Sequence, residues 1–194
     1  MTPESFNKYW KKTYSDSPPI GYYLRERYPN LWFRMHSLPL AKRYAESKGE
    51  EKEILRRHNS ILSDLLGEEG KYVLITTGYS TSPSPAQYYP QLDVLVKDSE
   101  YFFSFPKHEF EKDDNPNYWH FFMAERVWKG NSADELLSLV ADETVSDILF
   151  VGVVQNCVYS PYDGGADIFV KNKSRRNFIK NKFSEWTSKH LLGL

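Results

Sequence analysis

Two groups of side chains in this chain have types and spacings suited to chemistry. One lies in the run Ser160-Pro161-Tyr162-Asp163-Gly164-Gly165-Ala166-Asp167, where two carboxylates stand four residues apart beside a tyrosine. Such a pair is able to hold a divalent ion or to share acid–base work. The run lacks the further acidic ligands of a calcium loop and has no histidine to complete a metal set. The competing reading is a turn, because Asp followed by Gly between two apolar runs suits a tight hairpin. On that reading Tyr162, Asp163, Gly164, Gly165 and Asp167 are structural. The other group is basic: Arg34 and His36 on a strand-like stretch, Lys42 and Arg43 just after it, and Arg56 and Arg57 on a helix. Guanidinium forks match phosphate or carboxylate, which makes Arg34, His36, Arg43 and Arg57 a candidate anion site. The alternative is a set of solvated or salt-bridged charges.

The remaining titratable groups give weaker signals. His58 falls on the apolar stripe of a helix, where a satisfied core histidine is the ordinary case. His108 and His120 stand in aromatic surroundings without ligand spacing. Cys157 is the only cysteine, so the chain can form no disulfide within itself and no cysteine zinc site. It ends a β-branched run and reads as a buried, inert thiol. There is no Gly-x-Ser-x-Gly, no phosphate-cradling glycine loop, no His-Glu-x-x-His and no dinucleotide fingerprint. No catalytic residue, metal or cofactor is assigned.

Two aperiodic stretches are candidates for partner binding. Residues 78–90, expected as an exposed loop, carry Tyr79, Tyr88 and Tyr89 among prolines. Residues 106–117 carry Glu109, Phe110, Glu111, Asp113 and Asp114. Long loops on a rigid sheet are where binding residues concentrate, and tyrosines among acids suit a partner with a basic or polar cleft.

These side chains need positioning elements. The patterning predicts short helices over 5–14 and 20–27, a strand over 31–36, and a helix over 50–66 with acids in its first turn and Gly67 as C-cap. Strands are expected over 71–77, 92–96, 100–105 and 118–128. Ser132 and Glu135 have capping-box spacing ahead of another helix. Residues 148–154 are apolar on both faces and predict a central strand. A further strand-like piece spans 167–170, and a long amphipathic helix is expected from about 172 to 191, with Ile179, Phe183, Trp186 and His190 on one stripe. The sum is a single α+β domain over 1–194, with a mostly antiparallel sheet of about five to seven strands flanked by helices.

Composition narrows the function classes. The formal net charge is −1 and the charged fraction 26%, so no global field draws the protein to nucleic acid or an anionic membrane. The N-terminus has no apolar stretch of signal-peptide type, and no apolar run reaches the ~20 residues of a membrane span. A cytoplasmic protein is expected. Aromatics reach 16%, which raises the expectation of exposed tyrosine anchors.

Two stretches carry a resemblance. Trp32-Phe33-Arg34-Met35-His36-Ser37-Leu38-Pro39, continuing to Lys42-Arg43-Tyr44, and Pro161-Tyr162-Asp163-Gly164-Gly165-Ala166-Asp167, followed by the helix with Trp186, resemble an uncharacterised family of small bacterial proteins. The resemblance runs over most of the chain and brings no settled activity or catalytic residues with it. Small stand-alone proteins of this type serve as immunity partners of polymorphic or contact-dependent toxins. That association implies a protein that blocks a cognate toxin by covering its active site. A near-neutral chain fits a target that uses NAD or a nucleotide, such as an ADP-ribosyltransferase, better than a nuclease. The rival expectation is a small-ligand binder, or an enzyme acting on an anionic, phosphate-containing substrate through Arg34, His36 and Arg57.

Overall fold

The computed structural model describes residues 1–15, 17–85, 98–107 and 117–189. Seven strands make one antiparallel sheet: β1 (Trp32–His36), β2 (Lys71–Ser80), β3 (Glu100–Pro106), β4 (Tyr118–Val127), β5 (Leu149–Gly152), β6 (Cys157–Tyr162) and β7 (Gly165–Val170). Their order is β1-β7-β6-β5-β2-β4-β3. Five helices cover it: α1 (Pro3–Tyr14), α2 (Gly21–Arg27), α3 (Lys48–Leu66), α4 (Asp134–Ala141) and α5 (Lys173–Lys182). The α+β domain expected from patterning is the fold observed.

Each face of the sheet has its own core. Phe6, Trp10 and Tyr14 of α1 recur every four residues and join Leu24 of α2 against Val73, Ile75, Leu149, Val151, Val158 and Phe169. Pro3 opens α1, and the Thr2 hydroxyl accepts from Ser5 N–H at its N-cap. A helix this short is marginal alone, and its buried aromatics stabilise it by about 2 kcal/mol each. On the opposite face Ile61, Leu62 and Leu65 of α3, Leu136, Leu137 and Val140 of α4 and Ile179 of α5 pack on Phe33, Met35, Phe150 and Ile168. Successive β5 residues Leu149, Phe150 and Val151 therefore enter alternate cores, which is why the segment reads as apolar throughout.

Several boundaries differ from expectation. The central apolar strand stops at Gly152, because residues 153–156 turn the chain into β6 with Asn156 at φ 51° and Val154 exposed. The Asp163-Gly164 turn then joins β6 to β7 rather than folding β5 back on itself, with Tyr162 opposite Gly165. Among the described glycines only Gly67, the C-cap of α3, has a left-handed φ. The requirement at the hairpin falls instead on Gly165, where a Cβ would overlap the Met35 carbonyl oxygen of β1. Strand β2 runs on to Ser80, so Tyr79 belongs to the sheet and not to a loop. Helix α4 starts on Ala133 without a side-chain cap; the Ser132 hydroxyl accepts instead from Lys129 N–H in the preceding turn. Helix α5 is half the expected length. Its chain leaves the helix because β1 takes it up: Trp186 C=O accepts from His36 N–H at 2.7 Å, and Ser188 N–H donates to Arg34 C=O at 3.1 Å. The strand expected over 92–96 and His190 lie outside the described residues.

Candidate functional site

Antiparallel pairing of β1 with β7 puts Arg34 directly across from Asp167. Arg34 Nε and a terminal nitrogen donate to the two Asp167 oxygens at 2.8 and 3.0 Å, and Trp32 Nε1 adds a third bond at 2.9 Å. Asp167 is only 5% exposed. The Arg34 guanidinium lies 4.9 Å from the Tyr162 ring and 5.7 Å from the Trp32 ring. Burial alone would pull that guanidinium down; the hydrogen bonds and charge of Asp167 more than offset it and hold it up. Arg25 of α2 approaches the same carboxylate at 3.7 Å and sits 5.8 Å from the Trp32 ring. Asp163 bonds to Arg43, which also reaches Glu143 at 3.3 Å. The two aspartates of the sequence motif thus serve different arginines and do not converge.

The basic residues singled out in the sequence are divided among separate ion pairs. Arg57 donates to Glu53 at 2.7 Å and to the His36 carbonyl at 3.0 Å. Arg56 donates to both Glu53 oxygens, and Lys42 binds Glu46 and Glu50. The Arg56 hydrogen bonds first, then those of Arg57, hold the Glu53 carboxyl at about 2 against the effect of its partial burial. Burial lowers the His36 imidazole, and the nearby Arg34 and Arg57 charges lower it further. The structure brings Arg34 and Arg43 to the β6–β7 turn and leaves Arg57 on the α3 side of the sheet.

Two histidines share one arrangement. His58 lies between the Ser37 and Tyr159 hydroxyls, at 2.9 and 2.6 Å, and burial drives its pKa down to about 3. His120 lies between Ser80 and Ser104, at 2.7 and 2.6 Å. Both rings are structural cross-braces. Burial pushes the Cys157 thiol up to about 12, which leaves no thiolate at neutral pH. His108 lies outside the described residues.

Where α2, the β6–β7 turn and residues 140–147 meet, they enclose a cavity of about 450 Å³. Arg25, Arg34, Ser160, Tyr162, Glu143 and Asp147 contribute to its wall. Helix α2 comes so close to β6 here that a Cβ on Gly21 would overlap the Ser160 hydroxyl. Burial pushes the Tyr162 phenol up to about 12, against the pull of Arg34. Arg25 gave no signal in the sequence, because its relevance comes from a carboxylate near the other end of the chain.

Residues 20–191 match the family described as "Domain of unknown function (DUF3885)". The chain belongs to the DUF3885 family. The match covers both stretches on which the resemblance to an uncharacterised family rests. Helix α1 lies before the matched DUF3885 region, yet it supplies Phe6 and Trp10 to one core. No curated protein and no solved structure matches the chain.

Of the partner-binding candidates of this DUF3885 chain, Tyr79 lies among the described residues, near one rim of the sheet. Ser80 ends β2 opposite Tyr118, and Pro106 ends β3 opposite the same residue. Lys107 N–H donates to Asn117 C=O just beyond that rim. Tyr79, 41% exposed, stands beside the rim and hydrogen-bonds the Asp147 carboxylate at the cavity mouth. Tyr88, Tyr89, Glu109, Phe110, Glu111, Asp113 and Asp114 lie outside the described residues. Among the described residues, β3 is the outermost strand and carries Tyr101, Phe102, Phe103 and Phe105, none of them fully buried.

Proposed function

We propose that this protein is a binding protein of the immunity type, which neutralises a cognate bacterial toxin by covering its active site. One observation supports the reading: β2 ends at Ser80, β3 ends at Pro106 and β4 begins at Tyr118 on one rim of the sheet, next in sequence to the stretches with the tyrosines and the acids. A rigid rim that adjoins both stretches in sequence suits an inhibitory surface of aromatic anchors and carboxylates. Strand β3, which ends at the same rim, adds partly exposed aromatics. The internal pairing of Arg34, Arg43, Arg56 and Arg57 removes the cations an anionic substrate would need, which favours this reading over an enzyme using them. With a net charge of −1, recognition rests on local complementarity, which suits a toxin that uses NAD or a nucleotide.

The test is co-expression with the toxin domain encoded beside this chain in its native host. The expected result is restored growth and a co-purifying complex. Tyr88→Ala with Tyr89→Ala, and Glu109, Glu111, Asp113 and Asp114 changed together to Gln or Asn, should each weaken the complex by tenfold or more while leaving the melting temperature unchanged. Full protection by both variants, or no complex with the wild-type chain, refutes the proposal.

A further inference from the structure

We propose that the cavity between α2, the β6–β7 turn and residues 140–147 binds a small zwitterion of amino-acid size, with Arg25 taking its carboxylate. The inference is independent of the immunity reading. It begins with the charges. The two Asp167 oxygens already receive three N–H donors from Arg34 and Trp32, so the Asp167 charge is met by Arg34. Arg25 stands at 3.7 Å, beyond hydrogen-bonding distance, and its other contact is the Trp32 ring. One guanidinium in this wall is therefore in excess, with its donors uncommitted and its position fixed by an aromatic face.

A second donor stands beside it. Ser160, only 8% exposed, lines the same cavity, and among the described residues its hydroxyl has no hydrogen-bond partner. The hydroxyl is not fully enclosed and can donate to a ligand or water in the cavity. Tyr162, a neutral phenol, lines the same cavity and offers a further hydroxyl.

Another part of the lining has the other sign. Arg43 is shared between Asp163 and Glu143, which leaves that trio one negative charge in excess. An anion alone would gain Arg25 and meet this wall; a cation alone would gain the wall and meet Arg25. A carboxylate and an ammonium on one small molecule satisfy both. Val140, Val145 and Pro161 supply apolar surface for the side chain between them. A volume of about 450 Å³ is in the range of small-molecule sites and leaves room for one free amino acid or a dipeptide.

The test uses the full chain, with the proteinogenic L-amino acids offered one at a time in thermal-shift and calorimetric titrations. Each is paired with its deaminated acid, its decarboxylated amine and inorganic phosphate. At least one amino acid should bind with a dissociation constant of about 1 mM or tighter, at least about tenfold more tightly than its acid or amine. Arg25→Gln should weaken that binding by about tenfold or more, and Ser160→Ala by a smaller factor. Arg25→Lys should restore part of it, which separates a lost charge from a disturbed fold. The proposal is overturned if no amino acid binds, if phosphate or a simple carboxylate binds as tightly as the zwitterion, or if Arg25→Gln, folded by circular dichroism, binds like the wild type.

Discussion

His58 makes a quantitative prediction about acid stability. The ring is fully enclosed by α3, β6 and the residues after β1, with a hydroxyl on each nitrogen and no charged partner. Burial alone holds its pKa at about 3, against an ordinary value of 6.5. The sign follows from linkage. The unfolded chain takes up a proton as the pH falls through 6.5, while the folded chain refuses it until about 3, so stability is lost across that window and kept above it. Between about pH 8 and pH 5 the cost is about 2 kcal/mol, growing to about 4 kcal/mol by pH 3. Urea unfolding of the wild type and of His58→Gln at both ends of the upper interval isolates the effect. His36 and His120, also lowered by burial, remain in both proteins and cancel. The wild type should lose about 2 kcal/mol more than the variant over that interval. Equal losses, or a His58 ring resonance that titrates near 6.5, would refute the reasoning.

Other consequences are as direct. Asp167→Asn leaves Arg34 facing Arg25 without a counter-charge and should cost about 3 kcal/mol in chemical denaturation, well above the effect of Glu143→Gln at the exposed Arg43 pair. Gly165→Ala drives a methyl into the Met35 carbonyl and should lower stability by about 2–3 kcal/mol. Gly164→Ala meets its nearest atom, on the Tyr162 ring, at 3.2 Å and should cost clearly less; the reverse order in thermal melts would contradict the register of the hairpin. Cys157, 2% exposed, should resist alkylation in the native protein and react at the rate of an unfolded thiol only in denaturant.

Patterning made the architecture legible wherever one residue type repeats on one side of an element. The stripe Ile54, His58, Ile61, Leu65 located α3, and the alternation through Phe33 and Met35 located β1. Apolar residues on both sides of 149–152 correctly signalled a covered central strand. What the sequence left open is the work of distant partners. Helix α5 stops early because the free edge of β1, remote in the chain, draws Trp186 and Ser188 into hydrogen bonds. The Ser132 hydroxyl had a nearer donor than the helix it was expected to cap. Arg34 and Arg43 looked like part of an anion site because their counter-charges, Asp167 and Asp163, stand more than a hundred residues away. Arg25 escaped notice for the same reason, since its short helix shows no pattern that points at Asp167.

The segment around Thr187, bridged to Met35, bears on how the molecule is made. Strand β1 precedes by more than a hundred residues both its partner on one side, β7, and its cover on the other, residues 186–188. A nascent chain therefore carries an unpaired, aromatic-rich edge until residues 165–188 have been made, and an edge of that kind invites pairing with a neighbouring chain. Premature termination after α5 would leave the helices and the hairpin intact but the edge permanently open, so truncated products should aggregate rather than remain as soluble fragments. Protection of this edge against mispairing rests on residues 186–188.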